Sequence, residues 1–329
     1  MAYRFKLKES LREGVRRIAV EQIEKVLETP HKGDDRVTWV HEARKAMKRT
    51  RALLKCVRSG LEDRVYREEN AALREIARQL SSLRDRDVMS GTMASLAGQD
   101  EELDAALAWL SERLHAPETE AASPAPSARS ADAMVRRAIK ALEKAKARLA
   151  KIEVTGDLVD TVGVGLRKNQ RRGREMLARL AHHVTDENVH ELRKSVQTYQ
   201  RQQGLVYAAW PELQSVRIEA ARNLAQMLGE AQDLAVLAAT ATAQAEGATR
   251  TEVSHGDCVS AACRERQRLI REVAVPMAER LFAARPKAVE HELRAGWASA
   301  ALMAAGHYPP DEKPARTGGQ KRSTRASAQ

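Results

Sequence analysis

Apolar residues recur at every third or fourth position along almost the whole chain, and this spacing restricts the fold more than any other feature. Leu11, Val15 and Ile18 form one such row near the start. Residues three and four apart lie on one face of an α-helix, so the row predicts an amphipathic helix. Only 3% of the residues are aromatic, which favours a core of closely packed aliphatic and alanine side chains. The sequence therefore predicts an all-α protein.

Glycine and proline mark where the predicted helices end. The chain has 17 glycines and 10 prolines, too few for the many turns of an all-β sandwich. A loop rich in Pro, Ala and Ser is expected over 116–131, and a disordered basic tail over 306–329. A first helix ends before Thr29, and the others are predicted over 37–59, 62–83, 85–98, 101–115, 131–153, 158–183, 186–209, 211–231, 233–246, 257–284 and 286–304.

A short motif occurs twice, and the distance between its copies indicates an internal duplication. The motif VHEARK at 40–45 returns as VHELRK at 189–194. A second pair, LSSLRDRDVM at 80–89 and LGEAQDLAVL at 228–237, is separated by nearly the same distance. Two matches in register predict a duplicated helical unit, each copy roughly a four-helix bundle. The expected halves are 1–155 and 156–305.

Positive charge is concentrated on two of the predicted helices. The chain has 56 Lys and Arg against 45 Asp and Glu, a net charge of +11, which favours a polyanionic partner. Basic helix faces are often only solvated surface, so charge alone leaves that alternative open. The first row of cations is Arg44, Lys48, Arg51, Lys55 and Arg58, with Lys45 and Arg49 in the same segment; the second is Arg167, Arg171 and Arg174, with Lys168 and Arg172 beside it.

A histidine precedes the first basic row, and another occupies the same place in the repeat. His41 and His190 are expected in the first turn of their helices, where free backbone N–H groups favour anions. A histidine there loses proton affinity until a negative ligand restores it, so it can respond to pH. The alternative is a histidine at a helix start that bonds only to a neighbouring helix.

Other sequence features narrow the class of protein. Cys56, Cys258 and Cys263 form no CxxC pair, which predicts a reducing compartment without structural zinc. No signal peptide is recognised, and no apolar stretch approaches the roughly 20 residues of a spanning helix, so we expect a cytoplasmic protein without a transmembrane segment. The Gly-Val-Gly at 163–165 lacks the Gly-Lys of a phosphate-binding loop. We therefore expect no cofactor, no metal site and no enzymatic activity.

The histidine-led basic helices resemble the CHAD domain, an α-helical family named for its histidines. HEARKAMKRTR at 41–51 and LRDRDV at 83–88 resemble its first half, and HELRK at 190–194 and LGEAQD at 228–233 resemble its second half. The resemblance spans about 5–305. It implies two four-helix bundles related by a pseudo-two-fold axis, with a basic groove or pore between them that binds inorganic polyphosphate. It implies no catalytic activity of its own.

The resemblance also implies which side chains touch the phosphate chain. The residues that match its motifs are His41, Arg44, Lys48, Arg49, Arg51, His190, Arg193 and Lys194. The chain departs from the family at 197–200, where a basic cluster usually continues and Arg201 is instead the nearest cation. We expect the second basic row to compensate. The full set of candidate polyphosphate-binding residues is His41, Arg44, Lys45, Lys48, Arg49, Arg51, Lys55, Arg167, Lys168, Arg171, Arg174, His190, Arg193, Lys194 and Arg201.

Two further expectations concern partners. The same basic faces predict sequence-independent nucleic-acid binding as the alternative to polyphosphate, although the basic helices offer few aromatic rings on which bases could stack. The Ala- and Leu-rich helices and the basic tail also indicate a further alternative, association with polyphosphate or storage granules. The sequence does not decide between these partners.

Overall fold

A computed structural model describes residues 3–31, 35–80, 85–98, 100–115 and 128–306, without the side chains of 85–88, 115, 128 and 129. In these ranges the chain forms eleven α-helices and no strand, which confirms the all-α prediction. The helices are α1 (Leu11–Glu28), α2 (Asp35–Cys56), α3 (Asp63–Gln79), α4 (Asp85–Leu96), α5 (Glu101–His115), α6 (Ala128–Leu149), α7 (Leu158–His182), α8 (Asp186–Leu205), α9 (Pro211–Ala245), α10 (Arg250–Leu281) and α11 (Pro286–Ala304). Short 3-10 turns follow α2 at Arg58–Gly60 and α8 at Tyr207–Ala209.

Local sequence explains where several helices begin. Ser10 and Thr249 start α1 and α10 with capping boxes, in which a hydroxyl and a glutamate three residues later satisfy each other's backbone N–H groups. Pro211 and Pro286 occupy the first positions of α9 and α11, where a residue without an N–H loses no helical hydrogen bond.

Some predicted boundaries differ from the observed ones. The helices expected over 211–231 and 233–246 form the single 35-residue α9, because no proline interrupts it and Gly229 is tolerated inside it. The start of α6 lies inside the expected loop at 116–131, whose residues 116–127 lie outside the described ranges. The predicted tail, apart from Gly306, also lies outside them.

The helices pack around two hydrophobic cores. The first is built mainly by α1, α2, α3 and α6 and includes the fully buried Trp39. The second is built by α4, α5, α8, α9 and α10. α7 contributes Val162 to the first core and Met176 to the second. Because α4 and α5 pack on α9 and α10, neither core is made by one of the expected sequence halves alone, and the duplication remains a prediction.

A glycine allows α7 to cross close to the end of α2. A Cβ atom at Gly165 would lie 2.0 Å from the carbonyl oxygen of Cys56, far closer than two such atoms can approach. Gly163 packs in a similar way, since its Cβ would lie 3.0 Å from Cγ of Glu290 on α11. The Gly-Val-Gly sequence is therefore a helix-packing motif, and the close contact fixes α7 beside α2.

Candidate anion-binding site

A basic cavity of about 860 Å³ lies between α2 and α8. Among the described residues that line it, seven are cations and one, Asp233, is an acid. The cations and the histidine are Arg44, Lys48, Arg51 and Lys55 of α2 and His190, Arg193, Lys194 and Arg201 of α8. The described lining is completed by Ala52 of α2, Tyr66 and Asn70 of α3, Met89 and Thr92 of α4, Gln197 and Thr198 of α8, and Val236 of α9.

Helical spacing explains why the α2 cations share one wall. They recur at intervals of four, three and four residues, which keeps them on one face of a helix. The opposite face of α2 carries Trp39, Ala46 and Leu53, all buried in the first core. Burial of that apolar face therefore directs the basic face into the cavity.

Two hydrogen bonds hold cavity guanidinium groups in place. Nε of Arg51 donates to Oδ1 of Asn70 at 2.9 Å, which ties α2 to α3. Nη1 of Arg201 donates to the carbonyl oxygen of Gln197 at 2.7 Å. Each guanidinium keeps further N–H groups with which it can donate to a ligand.

Burial and neighbouring like charges lower the pKa values of three cations in this cavity. Burial, followed by the charges of Arg172 and Arg51, lowers the pKa of Lys55. Burial is also the largest cause of the lowered pKa values of Arg51 and Arg201. In each case the charged form is disfavoured by lost water and by neighbouring cations, two effects that a bound anion would reverse.

His190 has a lowered pKa as well, chiefly because of burial and then because of Lys194 and Arg193. It forms a hydrogen bond with Gln232 of α9, and its buried Nδ1 has no partner among the described residues. The expectation that both histidines lie in a first helical turn is wrong. α8 begins at Asp186 and α2 at Asp35, so His190 and His41 lie in second turns, beyond the free N–H groups.

A second, smaller cleft of about 340 Å³ shares Arg201 with the cavity. It is reached from another face of α2 and has no acid among its described lining. Its described residues are Tyr3, Arg4, Lys45, Arg49, Gln200, Arg201, Gly204, Tyr207, Ile218 and Arg222. Tyr3 and Arg4 carry no sequence signal for this position. The fully buried Phe5, whose N–H donates to the carbonyl of Leu205 at 2.9 Å, brings them there.

The structure does not bring the predicted α7 row to the cavity. Nη1 of Arg167 lies 2.9 Å from Oε2 of Glu290 on α11. Nη1 of Arg174 donates to the carbonyl oxygens at the end of α10, those of Phe282 at 3.1 Å and Ala283 at 2.9 Å. Lys168 and Arg171 are exposed and line neither the cavity nor the second cleft. This row therefore gives no sign of compensating for the uncharged residues at 197–200.

The remaining candidate, His41, is exposed and lines neither the cavity nor the second cleft.

Within the described ranges, no group of three or more His, Cys, Asp or Glu side chains is placed to hold a metal ion. In the same ranges, none of the helices combines the length and the apolar character that crossing a membrane requires.

Comparison with known proteins adds a family to this geometry. The curated proteins contain no match to the chain. The family model described as the CHAD domain matches residues 16–242, which include α2, α8 and the whole described lining of the cavity. The match covers more than half of the chain, lies inside the range that the resemblance predicted and confirms it. The chain thus belongs to the CHAD domain family.

Proposed function

We propose that this protein binds inorganic polyphosphate, without acting on it as an enzyme, in the basic cavity between α2 and α8. The observation that carries the proposal is the gathering of seven cations from two helices, against one acid, around one cavity. CHAD domains are associated with polyphosphate binding and are generally non-catalytic. We further propose that the protein acts in the cytoplasm.

The chemistry of the lining suits a linear polyanion. A polyphosphate chain carries about one negative charge per phosphate, and guanidinium groups can bond two phosphate oxygens at once. Lysine ammonium groups supply point charges along the same path. Burial and then repulsion between cations lower the pKa values of Arg51, Lys55 and Arg201. A bound polyanion favours the charged forms and offsets both effects.

Counterion release predicts a steep dependence on salt. By analogy with single-stranded nucleic acids, each phosphate contact contributes about 0.7 to the slope of log affinity against log salt concentration. Seven contacts would therefore lower the affinity by roughly three decades between about 50 and 200 mM salt. A slope near zero would contradict binding by this cavity.

A charge-reversal pair tests the site directly. Lys48→Glu combined with Lys194→Glu changes one exposed lysine on each wall of the cavity. Polyphosphate affinity, measured by titration calorimetry, should fall by about a hundredfold or more, because two charges are reversed beside the ligand and the local net charge falls by four units. The matched control is Lys140→Glu with Lys144→Glu, two exposed lysines of α6 outside the described lining.

The control pair makes the same change in net charge, so it separates the cavity from general attraction. Equal losses in both pairs would contradict a specific site. Competition by duplex DNA and single-stranded RNA at equal phosphate concentration tests the nucleic-acid alternative. We expect polyphosphate to compete better, since Tyr66 is the one Phe, Tyr or Trp side chain of the described cavity lining and single-strand binders use several stacking rings.

A further inference from the structure

A carboxylate at the edge of the cavity holds two cations from different helices. Oε1 of Glu191 lies 2.5 Å from Nζ of Lys194, on the same helix, and its Oε2 accepts a hydrogen bond from Nη2 of Arg172 on α7. Lys194 lines the cavity, whereas Arg172 does not. Glu191 therefore links a cation outside the lining to one inside it.

The repeat contains the same arrangement a second time. Glu42 occupies the position of Glu191 in the motif, and Oε1 of Glu42 lies 3.1 Å from Nζ of Lys45, three residues later. Its Oε2 lies 3.5 Å from Nζ of Lys25, on the preceding helix α1. Single surface ion pairs contribute little to stability, so recurrence of the whole triplet indicates a role beyond stability.

We propose that Glu191 is a positioning residue of the anion site: it holds Arg172 and Lys194 beside Lys55, so that cations from α7, α8 and α2 meet one ligand. This inference rests on the proposed polyphosphate binding. The long side chains of Arg172 and Lys194 are roughly half exposed, at 44% and 55%. An ion pair that orders them before binding reduces the entropy lost when a ligand arrives.

Glu191 also acts on Lys55. Among the charges that set the pKa of Lys55, Arg172 and Arg51 come first and lower it, Glu191 raises it, and Lys194 lowers it. The other titratable groups that line the same cavity are Arg44 and Lys48 of α2, Tyr66 of α3, His190, Arg193 and Arg201 of α8, and Asp233 of α9. Loss of the Glu191 carboxylate therefore lowers the pKa of Lys55 further, and Lys55 gives up its proton at a lower pH.

A single substitution distinguishes this role from that of an ordinary acid. If Glu191 only repelled the polyanion, Glu191→Gln would strengthen binding of polyphosphate. If it positions cations, Glu191→Gln should weaken binding by about threefold to tenfold and reduce the salt slope by about 0.7, the loss of one phosphate contact. The alkaline fall in affinity should also begin at lower pH than in the wild-type protein, because Lys55 deprotonates earlier.

Glu187 provides the matched control. It lies one turn before Glu191 on the exposed side of α8 and makes no ion pair with a described residue. Glu187→Gln makes the same change in charge and should leave the affinity unchanged or slightly higher. Lys55→Arg, which keeps the positive charge at every pH tested, should abolish the alkaline shift caused by Glu191→Gln. Thermal melting of each variant checks that the fold is intact.

Arg172→Gln gives an independent measure, because Arg172 lies outside the described cavity lining and makes a phosphate contact only if it is held at the ligand. It should also reduce the salt slope. The inference is overturned if the wild-type protein binds polyphosphate and Glu191→Gln binds as tightly as Glu187→Gln with an unshifted pH profile. Absence of binding by the wild-type protein would instead overturn the proposed function, and this inference with it.

Discussion

His190 lies beside two cations of its own helix and bonds to Gln232 of α9. Its pKa is lowered first by burial and then by Lys194 and Arg193, so it is mainly neutral near pH 7 in the protein without ligand. Burial is a tertiary cause, whereas Lys194 and Arg193 are neighbours of His190 on the same helix. His41, its counterpart in the repeat, is exposed. The same residue type at equivalent positions thus meets two different environments.

This difference predicts that polyphosphate affinity depends on pH through His190 and not through His41. A bound polyanion raises the pKa of His190, so a proton is taken up on binding at pH values between the ligand-free and ligand-bound pKa. Polyphosphate affinity should therefore rise as pH falls from about 7.5 to about 5.5, by at most tenfold per pH unit. Titration of His190→Asn should show this rise reduced, and His41→Asn should behave like the wild-type protein. A rise lost only in His41→Asn would contradict the assignment.

The position of α7 against α2 depends on one residue without a side chain. Gly165 allows the two helices to approach until a Cβ would meet the Cys56 carbonyl. The neighbouring Cys56 and Val162 are fully buried in the first core. Because α2 carries one wall of the cavity, this contact affects both the stability of the fold and the placement of the basic face.

Gly165→Ala should reduce the free energy of unfolding by about 1–3 kcal/mol, the usual penalty for overpacking. The matched control is Gly91→Ala on α4, where an added Cβ would meet nothing within 4 Å. There the lower entropy of the unfolded chain should raise stability by about 0.5–1 kcal/mol. Urea unfolding of both variants gives the comparison. If the free energy of unfolding changed similarly in both variants, α7 could shift away from α2 without loss of stability.

In the whole molecule, the cavity lies where helices of the two cores meet. α2 buries its apolar face in the first core and α8 buries most of its own in the second. Each core thus fixes one basic wall, and the cavity forms because the cores pack together. Part of the net charge of +11 lies elsewhere, including the predicted basic tail, for which granule association remains a prediction.

Deletion of 309–329 separates attachment from binding. A tagged protein without this segment should lose its signal at polyphosphate or storage granules in cells, because five cations are removed from the chain. Its affinity for polyphosphate in solution should change much less than that of the Lys48→Glu, Lys194→Glu pair, since the cavity is intact. If the Lys48→Glu, Lys194→Glu pair loses its granule signal and the deletion variant keeps it, the tail has no role in attachment.

The all-α class, most helix positions and the basic face of α2 follow from the sequence alone. Spacing within one helix depends on local geometry, which places Arg44, Lys48 and Arg51 on one side wherever the helix packs. The repeated motif likewise indicated the CHAD family. These features need only neighbouring residues, so they can be read without knowledge of the tertiary structure.

Which basic rows face each other is settled by packing between distant segments. Arg167 and Arg174 look like binding residues in the sequence, yet they bond to α11 and to the end of α10. Arg4 reaches the second cleft only because Phe5 is buried against α8. The reason is that helix spacing gives a direction relative to one helix axis, whereas the meeting of two walls depends on how the apolar faces of several helices bury one another.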